Sequence, residues 1–459
     1  MRSRFILLAA AMAAALSACA LTPPLVMPAL PVPAVYDAGQ APEHANAADL
    51  GWRQMLPDPR LQQLVALALA SNRDLRVAAL NVQAVQAQYR IQDAARLPAI
   101  GASAGGTRQT MADAGGVQNQ FAAGVALGAF EIDLFGRLRS LSDAAFARYL
   151  ASEQGRRAAQ LALVAAVAGA YLEERLAVEQ LQLAESTLQD WRQALVLTQR
   201  LHAARQGSGL DVAQAEGQAA SAEADVQARE RLRQLARNQL ELLLGAPVPD
   251  GLPAGLALDA QPVLTQLPAG VPSDLLLRRP DILQAEQSLV AANADIGAAR
   301  AAFFPRLSLT ASLGFASSDV GDLFRGGARS WSFAPQITQP LFQGGQLRAE
   351  LRLSQIRREI AVQQYEQAIQ SAFREVRDGL AGSQTYAQQI AAQQRVAASA
   401  EQRRRLSQLR YGAGQDSRLE LLDAQRQSYA SQQTLLDLRR DQFKSAIALY
   451  MALGGGLEE

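Results

Sequence analysis

Hydrophobic and polar residues alternate with a period of two in several short segments of the chain. From Leu307 to Phe315 the odd-numbered positions are apolar, and the positions between them are serine, threonine or glycine. The segment from Trp331 to Leu341 alternates in a similar way. The pattern predicts two pairs of strands, at about 99–135 and about 306–342, each with one apolar and one small, polar face. A soluble sandwich of strands shows the same alternation, so the pattern alone does not indicate a membrane.

Long segments with helical spacing follow each strand pair. Residues 345–410 contain no proline, and apolar residues such as Ile356, Ile360 and Ile369 recur there at helical intervals. A helix of some 65 residues would span about 100 Å, so it needs neighbours along its whole length, as in a coiled coil. Shorter helices are predicted before each strand pair, from about Pro59 to Leu97 and from Pro280 to Phe304.

The second half of the chain repeats the first. Asp74-Leu75 and Asp281-Ile282 open corresponding helices 207 residues apart (281 − 74), and Ser208 aligns with Ser417 at an offset of 209 (417 − 208). A nearly constant offset across helix, strand and turn segments indicates an internal duplication. The predicted segments are a signal peptide (1–18), an extended N-terminal segment (19–58), repeat 1 (59–245, long helices about 137–245), a proline-rich linker (246–272) and repeat 2 (273–455, long helices about 345–452), with surface loops at 105–118 and 317–327.

Cys19 is the only cysteine, and it ends a run that reads Leu-Ser-Ala-Cys. Arg2 and Arg4 precede an apolar stretch from Phe5 to Leu16, which is the pattern of a secretory signal. The tetrapeptide resembles a bacterial lipobox, which implies cleavage before Cys19 and attachment of acyl chains to its thiol. The sequence therefore predicts an exported protein that is tethered to a membrane by lipid.

Composition argues against several function classes. The formal net charge is +1, so nothing suggests a surface for nucleic acid. The two histidines, His44 and His202, stand apart in the sequence, and no Ser-His-Asp set, metal-ligand cluster or phosphate loop after a strand is present. We therefore expect no enzyme activity, no metal and no cofactor apart from the acyl chains on Cys19.

The predicted strands are too few to close a barrel within one chain, since common membrane barrels have at least about eight strands. An open sheet edge is excluded from lipid because its backbone groups would lack partners. Several chains must therefore combine their strands, and three chains would supply twelve. The long helices would then form a second tube, so the residues alone suggest an oligomeric, lipid-anchored conduit.

Several motifs resemble one family, the TolC-type outer-membrane efflux channels, in the lipoprotein branch that serves RND-type tripartite pumps. They are the segments 273–282 (Ser-Asp-Leu-Leu-Leu-Arg-Arg-Pro-Asp-Ile), 301–305 (Ala-Ala-Phe-Phe-Pro), 411–414 (Tyr-Gly-Ala-Gly) and 421–425 (Leu-Leu-Asp-Ala-Gln). The resemblance implies an α+β membrane protein: a homotrimer with a twelve-stranded outer-membrane β-barrel, four strands from each protomer, continuous with a long periplasmic α-helical barrel. It also implies a passive exit duct for drugs or other small toxic compounds, supplied by a periplasmic adaptor and an inner-membrane transporter.

The turns between paired long helices carry the candidate functional residues. By the resemblance, these tips receive the adaptor and close the periplasmic aperture; the tip residues are Gly207, Ser208, Gly209, Gly412, Gly414 and Ser417, and the aperture residues are Asp416, Arg410 and Arg418. Three symmetry copies of Asp416 would form a ring of carboxylates, with the two arginines as candidate salt-bridge latches. Ser208 and Ser417 are also expected to cap the helices that follow them, and the alternative for Asp416 is a favourable contact with the helix dipole. Repeat 1 departs from the family's tip spacing, because Arg205 stands at the position equivalent to Gly414.

Two other functions remain open on the sequence. A lipid-anchored periplasmic coiled-coil tether without a pore would account for Cys19 and the helices, but it leaves the four alternating strands without a role. The outer-membrane duct of a type I protein secretion system would use the same architecture. The cargo cannot be inferred, since a passive duct needs no dedicated binding pocket.

Overall fold

The computed structural model describes residues 21–33, 50–111, 116–267 and 278–457. The predicted signal peptide, Cys19 and part of the predicted linker (268–272) lie outside these residues. The chain forms two compact units, each built from three separate stretches. Unit 1 comprises Met1–Ala29, Leu80–Gln154 and Gln284–Gln367, and unit 2 comprises Leu30–Ala79, Gly155–Leu283 and Ala368–Glu459.

Most of the described chain is helical. The helices are α1 (Trp52–Met55), α2 (Pro59–Ser71), α3 (Arg73–Ala94), α4 (Arg137–Ala203), α5 (Gly209–Leu244), α6 (Pro280–Ala301), α7 (Gln346–Gly412) and α8 (Arg418–Ala452). α4 and α7 each have 67 residues, as the long helical patterns predict. Within the described ranges, none of the helices combines the length and the apolar character that a membrane-crossing helix requires.

The prediction of one helix from Pro59 to Leu97 is wrong, because the chain breaks at Asn72 into α2 and α3. The Asn72 side chain accepts a hydrogen bond from the Leu75 backbone N–H (2.8 Å) and donates one to the Leu243 carbonyl (2.8 Å). Asn72 is buried, so both of these bonds are made in the interior. A buried asparagine thus caps the second helix while its backbone ends the first.

The four strands form one antiparallel sheet in unit 1, in the order β1 (Ile100–Met111), β2 (Gly116–Ile132), β3 (Arg306–Ser317) and β4 (Arg329–Thr338). The predicted loop at 105–118 is wrong, since most of it extends β1 and β2 and pairs across them, for example Thr107 with Gln120. The prediction failed because glycine and small polar residues are typical of loops. An exposed strand can contain them, since its backbone hydrogen bonds hold it in place without buried side chains. The other predicted loop, 317–327, lies between β3 and β4 and contains a short 3₁₀ turn.

The register of the sheet separates its two faces as the alternation predicts. Leu307 pairs with Ile337 and Leu313 pairs with Trp331, so the apolar residues of neighbouring strands share one face. These side chains are exposed in the single chain, with Trp331 76% and Ile337 70% accessible. On the other face Gly124 lies opposite Gly314, where an added Cβ would come within 2.6 Å of a backbone oxygen. The described part of β1 and β4 pairs on one side only, which leaves two open edges.

Unit 2 contains an apolar core in which Trp52, Leu61, Leu244 and Tyr450 are buried. Asp58 is fully buried and caps α2. It accepts hydrogen bonds from the Arg60 N–H (2.8 Å), the hydroxyl of the core residue Tyr171 (2.6 Å) and the Leu256 N–H (2.8 Å). A buried carboxylate is tolerated there because its oxygens are satisfied. Burial and the neighbouring Asp58 carboxylate raise the pKa of Tyr171, so its hydroxyl keeps the proton it donates.

Candidate functional site

The turn between α4 and α5, residues 204–208, is called tip 1 and contains the predicted tip residues Gly207 and Ser208. The N–H of Gln206 donates to the Leu201 carbonyl (2.8 Å), which closes the end of α4. Ser208 then caps α5 in a reciprocal capping box, because its hydroxyl accepts from the Asp211 N–H (3.1 Å) while Asp211 accepts from the Ser208 N–H (3.0 Å). The Ser208 hydroxyl, which also donates to the Asp211 carboxylate (2.7 Å), and the Ser208 N–H lower the pKa of Asp211. The capping interpretation of Ser208 is therefore confirmed.

Gly207 and Gly209 lie on either side of this cap. The carbonyl of Gly207 accepts a hydrogen bond from Nδ1 of His202 at 3.0 Å. Gly209 is the first residue of α5. His202 thus has a role that its isolation in the sequence did not indicate: it joins the last turn of α4 to tip 1.

The turn between α7 and α8, residues 413–417 or tip 2, repeats the backbone of tip 1. The N–H of Gln415 donates to the Arg410 carbonyl (2.9 Å), which is the counterpart of the Gln206–Leu201 bond at an offset of 209 (415 − 206). Ser417 caps α8 by accepting from the Glu420 N–H (3.1 Å). The Glu420 carboxylate pairs with Arg403 at 2.7 Å instead of completing a capping box.

Arg205 and Gly414 occupy the same conformation in the two tips. Arg205 has φ of 60° and Gly414 has φ of 70°, both in the left-handed region. This conformation is open to glycine but costs other residues about 1–2 kcal/mol. Tip 1 therefore adopts the left-handed conformation of tip 2 although it has no glycine at this position. Gly412, by contrast, is the last residue of α7 and lies in open space.

The aperture candidates Asp416, in tip 2, and Arg410, in the last turn of α7, lie close together. The Asp416 carboxylate accepts a hydrogen bond from the Ser407 hydroxyl (3.0 Å) and lies 3.6 Å from Nε of Arg410. Asp416 is 16% exposed and Arg410 is 60% exposed. The carboxylate is thus directed mainly towards its own helix pair, and a fraction of it faces outward.

Within one chain Arg418 contacts a hydroxyl, and its salt-bridge latch stays a prediction. Its Nη1 donates to the hydroxyl of Thr198 at 2.6 Å, which joins the start of α8 to the end of α4. Thr198 is buried, and its hydroxyl also donates to the Ala194 carbonyl (2.8 Å). Arg418 therefore links the two helix pairs of one chain through a hydroxyl and not through a carboxylate.

The Arg-Arg-Pro-Asp motif that suggested the family has a structural role that sequence reasoning missed. Arg279 is 9% exposed and donates two hydrogen bonds to Asp281 (3.0 and 2.6 Å) and one to Glu375 (2.7 Å). It also reaches the Ala452 carbonyl at 3.1 Å. One guanidinium thereby joins the start of α6, the middle of α7 and the end of α8. Among the described residues, no group of three or more histidine, cysteine, aspartate or glutamate side chains could hold a metal ion.

Comparison with protein families identifies both halves of the chain. The outer membrane efflux protein family model matches residues 64–246 and again residues 271–455. The two matches are offset by 207 residues at their start (271 − 64) and by 209 at their end (455 − 246). These are the offsets at which the sequence repeats itself.

Individual proteins and solved structures agree with the family match. The chain is 45% identical over 455 residues to the toluene efflux pump outer membrane protein TtgC of Pseudomonas putida, covering 97% of this chain and 94% of that protein. The open state of the Neisseria gonorrhoeae MtrE outer membrane channel is 40% identical, with a TM-score of 0.89, over 96% of this chain and 99% of that one. A membrane protein from Pseudomonas aeruginosa is 41% identical with the same TM-score of 0.89, over 95% and 98% of the two chains. The resemblance to TolC-type channels is confirmed: this chain belongs to the outer membrane efflux protein family and is the outer-membrane component of an efflux pump.

Proposed function

We propose that three copies of the chain form one channel, with a twelve-stranded barrel in the outer membrane and a helical barrel in the periplasm. The four-stranded sheet with two open edges and an exposed apolar face carries this proposal. Unpaired backbone groups at such edges are not tolerated in lipid, so the edges must meet other strands. The four strands of one chain are too few for the common barrels, which begin at about eight.

The channel is the passive duct of a tripartite pump, and it uses neither a cofactor nor a catalytic step of its own. A periplasmic adaptor meets the tips at Gly207, Ser208, Gly209, Gly412, Gly414 and Ser417, and an RND-type transporter of the inner membrane supplies the substrate. The two capped tips support this role, because their backbones are fixed by hydrogen bonds and present defined surfaces. A rigid surface loses little conformational entropy on binding.

The substrates are apolar solvents and antibiotics. Support comes from relatives with 45% identity over 97% of this chain, which are named as a toluene efflux pump protein and an antibiotic efflux pump protein of Pseudomonas putida. The decisive experiment expresses this chain with each candidate adaptor and transporter pair in a host that lacks its own outer-membrane efflux component. Restored tolerance to toluene and to antibiotics is expected. If none of the adaptor and transporter pairs restores tolerance, the proposed role is contradicted.

Asp416 lines the periplasmic aperture, with Arg410 and Arg418 holding the tips closed. The outward fraction of Asp416 supplies one carboxylate from each copy, and the Ser407 hydrogen bond orients it. We expect Asp416→Ala to raise the conductance of the isolated channel in planar bilayers and to reduce its preference for cations. Asp423→Ala serves as the control, since Asp423 is also a carboxylate on α8 and pairs with Arg403 (2.8 Å). Equal conductance of the unmodified channel, Asp416→Ala and Asp423→Ala would show that Asp416 does not line the aperture.

Acyl chains on Cys19 anchor each N-terminus beside unit 1. Two residues later, the Leu21 carbonyl accepts a hydrogen bond from the Arg300 side chain (3.2 Å). The Pro23 carbonyl accepts one from the Asn293 side chain (2.8 Å), so this segment lies along α6. Gly297 makes room for it, because a Cβ there would lie 2.1 Å from the Thr22 hydroxyl. Cys19→Ser is expected to abolish labelling with radioactive palmitate while oligomers still form. A labelled Cys19→Ser protein would refute the anchor.

A further inference from the structure

The charged residues of the four-stranded sheet divide between its two faces and its two ends. Each strand contains one charged residue, and these are Arg108 in β1, Glu131 in β2, Arg306 in β3 and Arg329 in β4. Glu131 pairs with Ser308, and Arg306 pairs with Thr338, so both lie on the polar face. Both also lie at the end of the sheet that is joined to the helices, since Glu131 comes just before α4 and Arg306 comes just after α6.

The other two charged residues, Arg108 and Arg329, lie on the apolar face. In β1, Ile100 lies on this face and Arg108 follows it by eight residues (108 − 100), so both side chains point to the same side. In β4, Ile337 and Arg329 are also eight residues apart (337 − 329). Both strands pair with their neighbours in an unbroken register over these residues. Each arginine therefore lies on the apolar face, close to the hairpin loop of its strand pair.

The position along the strands places both arginines at the level of lipid headgroups. The helices all join the sheet at the end opposite the hairpin loops, so with periplasmic helices the loops lie at the outer surface of the membrane. Eight residues span about 27 Å along a strand, and a strand tilted by about 40° rises about 20 Å over that length. The apolar band of such barrels is about 25 Å tall. Arg108 and Arg329 therefore lie at its outer boundary, where a long side chain extends its charge out of the acyl chains.

An aromatic ring lies on the same face just inside each arginine. Trp331 is two residues from Arg329 and is exposed. Gly106 is two residues from Arg108 and pairs with Phe121, whose ring would lie 2.7 Å from a Cβ added at Gly106. The Phe121 ring therefore lies over the backbone of β1 at this level. Aromatic side chains are enriched at the two membrane–water interfaces, so the arginines, about 7 Å further along the strands, lie among the headgroups.

Both guanidinium groups lack a carboxylate partner among the residues that the structure describes. Arg108 and Arg329 are exposed, and neither forms an ion pair or a side-chain hydrogen bond within the described ranges. Arg325, in the loop between β3 and β4, differs from them because it pairs with Asp322 (2.5 Å). In a ring of copies Arg329 and Arg108 also come to the outer ends of adjacent strands, where like charges repel each other. An anion bound at this level would compensate both charges.

We infer that Arg108 and Arg329 bind the phosphate groups of lipopolysaccharide in the outer leaflet of the outer membrane. This inference rests on the proposed barrel and adds a lipid site at its outer rim. Lipopolysaccharide carries phosphates on the sugars of its lipid A part, directly above the acyl chains. A guanidinium fits a phosphate with two parallel N–H···O hydrogen bonds. The acyl chains of the same lipid lie against the apolar face below, where Trp331 and Phe333 are exposed.

Lipid binding to the purified channel tests this inference. The test variant combines Arg108→Gln with Arg329→Gln, which removes both charges and keeps polar side chains at the rim. Arg306→Gln is the matched control, since Arg306 is also an exposed arginine of the sheet but lies on the polar face at the opposite end. Lipid A with both phosphates, dephosphorylated lipid A and phosphatidylglycerol are each titrated into the proteins in detergent. Native mass spectrometry then measures the fraction of protein with bound lipid.

The unmodified channel and Arg306→Gln are expected to bind phosphorylated lipid A equally, and at least tenfold more tightly than the test variant does. Removal of the phosphates from lipid A should weaken its binding to the unmodified channel by a similar factor. Equal binding of phosphorylated lipid A to the test variant and to Arg306→Gln would overturn the inference. Binding of phosphatidylglycerol as tight as that of lipid A would also overturn it, because the site would then accept any anionic headgroup.

The mass of the protein separates failure of this inference from failure of the proposed function. Native mass spectrometry is expected to give trimers for the unmodified channel and for both variants. Trimers of the test variant that bind lipid A normally would overturn the lipid site alone, whereas monomers of the unmodified channel would contradict the proposed channel itself. The comparison of phosphorylated with dephosphorylated lipid A needs only the unmodified channel, so it tests the site even if the test variant does not assemble.

Discussion

Removal of the Arg279 side chain is expected to loosen the junction of α6, α7 and α8. Arg279→Ala deletes two hydrogen bonds to Asp281, one to Glu375 and one to the Ala452 carbonyl. Burial by itself would lower the pKa of Arg279, but the two carboxylates raise it, so the guanidinium is charged throughout the accessible pH range. The substitution therefore leaves two carboxylates without their cation.

The expected loss of stability in Arg279→Ala follows from the burial of the three side chains involved. Breaking a fully buried ion pair by removing one partner costs about 3–5 kcal/mol. Arg279 is 9% exposed, but Asp281 and Glu375 are 43% and 42% exposed and regain water when the arginine is lost. We therefore expect a reduction of about 2–3 kcal/mol in the free energy of local opening. Arg279→Lys should cost less, because it keeps the charge and loses the two-pronged contact with Asp281.

Hydrogen–deuterium exchange measures this change at the junction itself. The amide of Leu283, which donates to the Arg279 carbonyl (3.1 Å), lies in the first turn of α6 and reports on opening. A loss of about 2–3 kcal/mol accelerates its exchange by roughly 30- to 150-fold. Arg192→Ala is the control, since its contact with Glu223 is 3.5 Å long between side chains that are 59% and 61% exposed. Equal exchange at Leu283 in Arg279→Ala and Arg192→Ala would refute this account of the motif.

Further predictions concern the tips and one ion pair. Gly414 has φ of 70°, so Gly414→Ala should destabilise tip 2 by about 1 kcal/mol, whereas Gly412→Ala should not. Faster hydrogen–deuterium exchange of the Gln415 amide in Gly414→Ala alone would support this prediction. Equal exchange rates in the two variants would contradict it. Burial would raise the pKa of Glu173, but Lys444 and Arg440 hold it below its ordinary value. Its stabilising effect is therefore present above the unfolded-state pKa of about 4.3 and is lost as the pH falls through the lower folded value. Glu173→Gln should lower Tm at pH 7, and this difference should disappear once the pH falls below the folded-state pKa of Glu173; a Tm difference that is independent of pH would contradict this.

The sequence predicted those features that arise from local periodicity. The alternation of apolar and polar residues at 307–315 predicted the strand correctly, because one face of the strand is apolar along its whole length. The break at Asn72 was missed because its cause is distant: the amide bonds to the Leu243 carbonyl, which no local pattern reveals. The role of Arg279 was missed for a similar reason, since Glu375 and Ala452 meet it only in the folded chain.

The contact of Arg418 within one chain illustrates a different limit. Charge alone favours a carboxylate partner, and arginine is abundant in this chain. In the structure Thr198 lies within 2.6 Å of the guanidinium, and its buried hydroxyl accepts the bond. Sequence reasoning located the residue at the tip, but the choice between a hydroxyl and a carboxylate depends on how two helix pairs meet.

The two tips reach one backbone conformation by different means. Tip 2 places glycine at the left-handed position and caps α8 with Ser417 alone. Tip 1 places Arg205 there, at a cost of about 1–2 kcal/mol, and residues in such a conformation persist only where their surroundings fix the backbone. The complete capping box of Ser208 and the His202–Gly207 hydrogen bond supply that constraint. A partner that contacts both tips therefore meets an exposed cation at tip 1 and a glycine backbone at the equivalent place in tip 2, so the duplicated hairpins are not interchangeable surfaces.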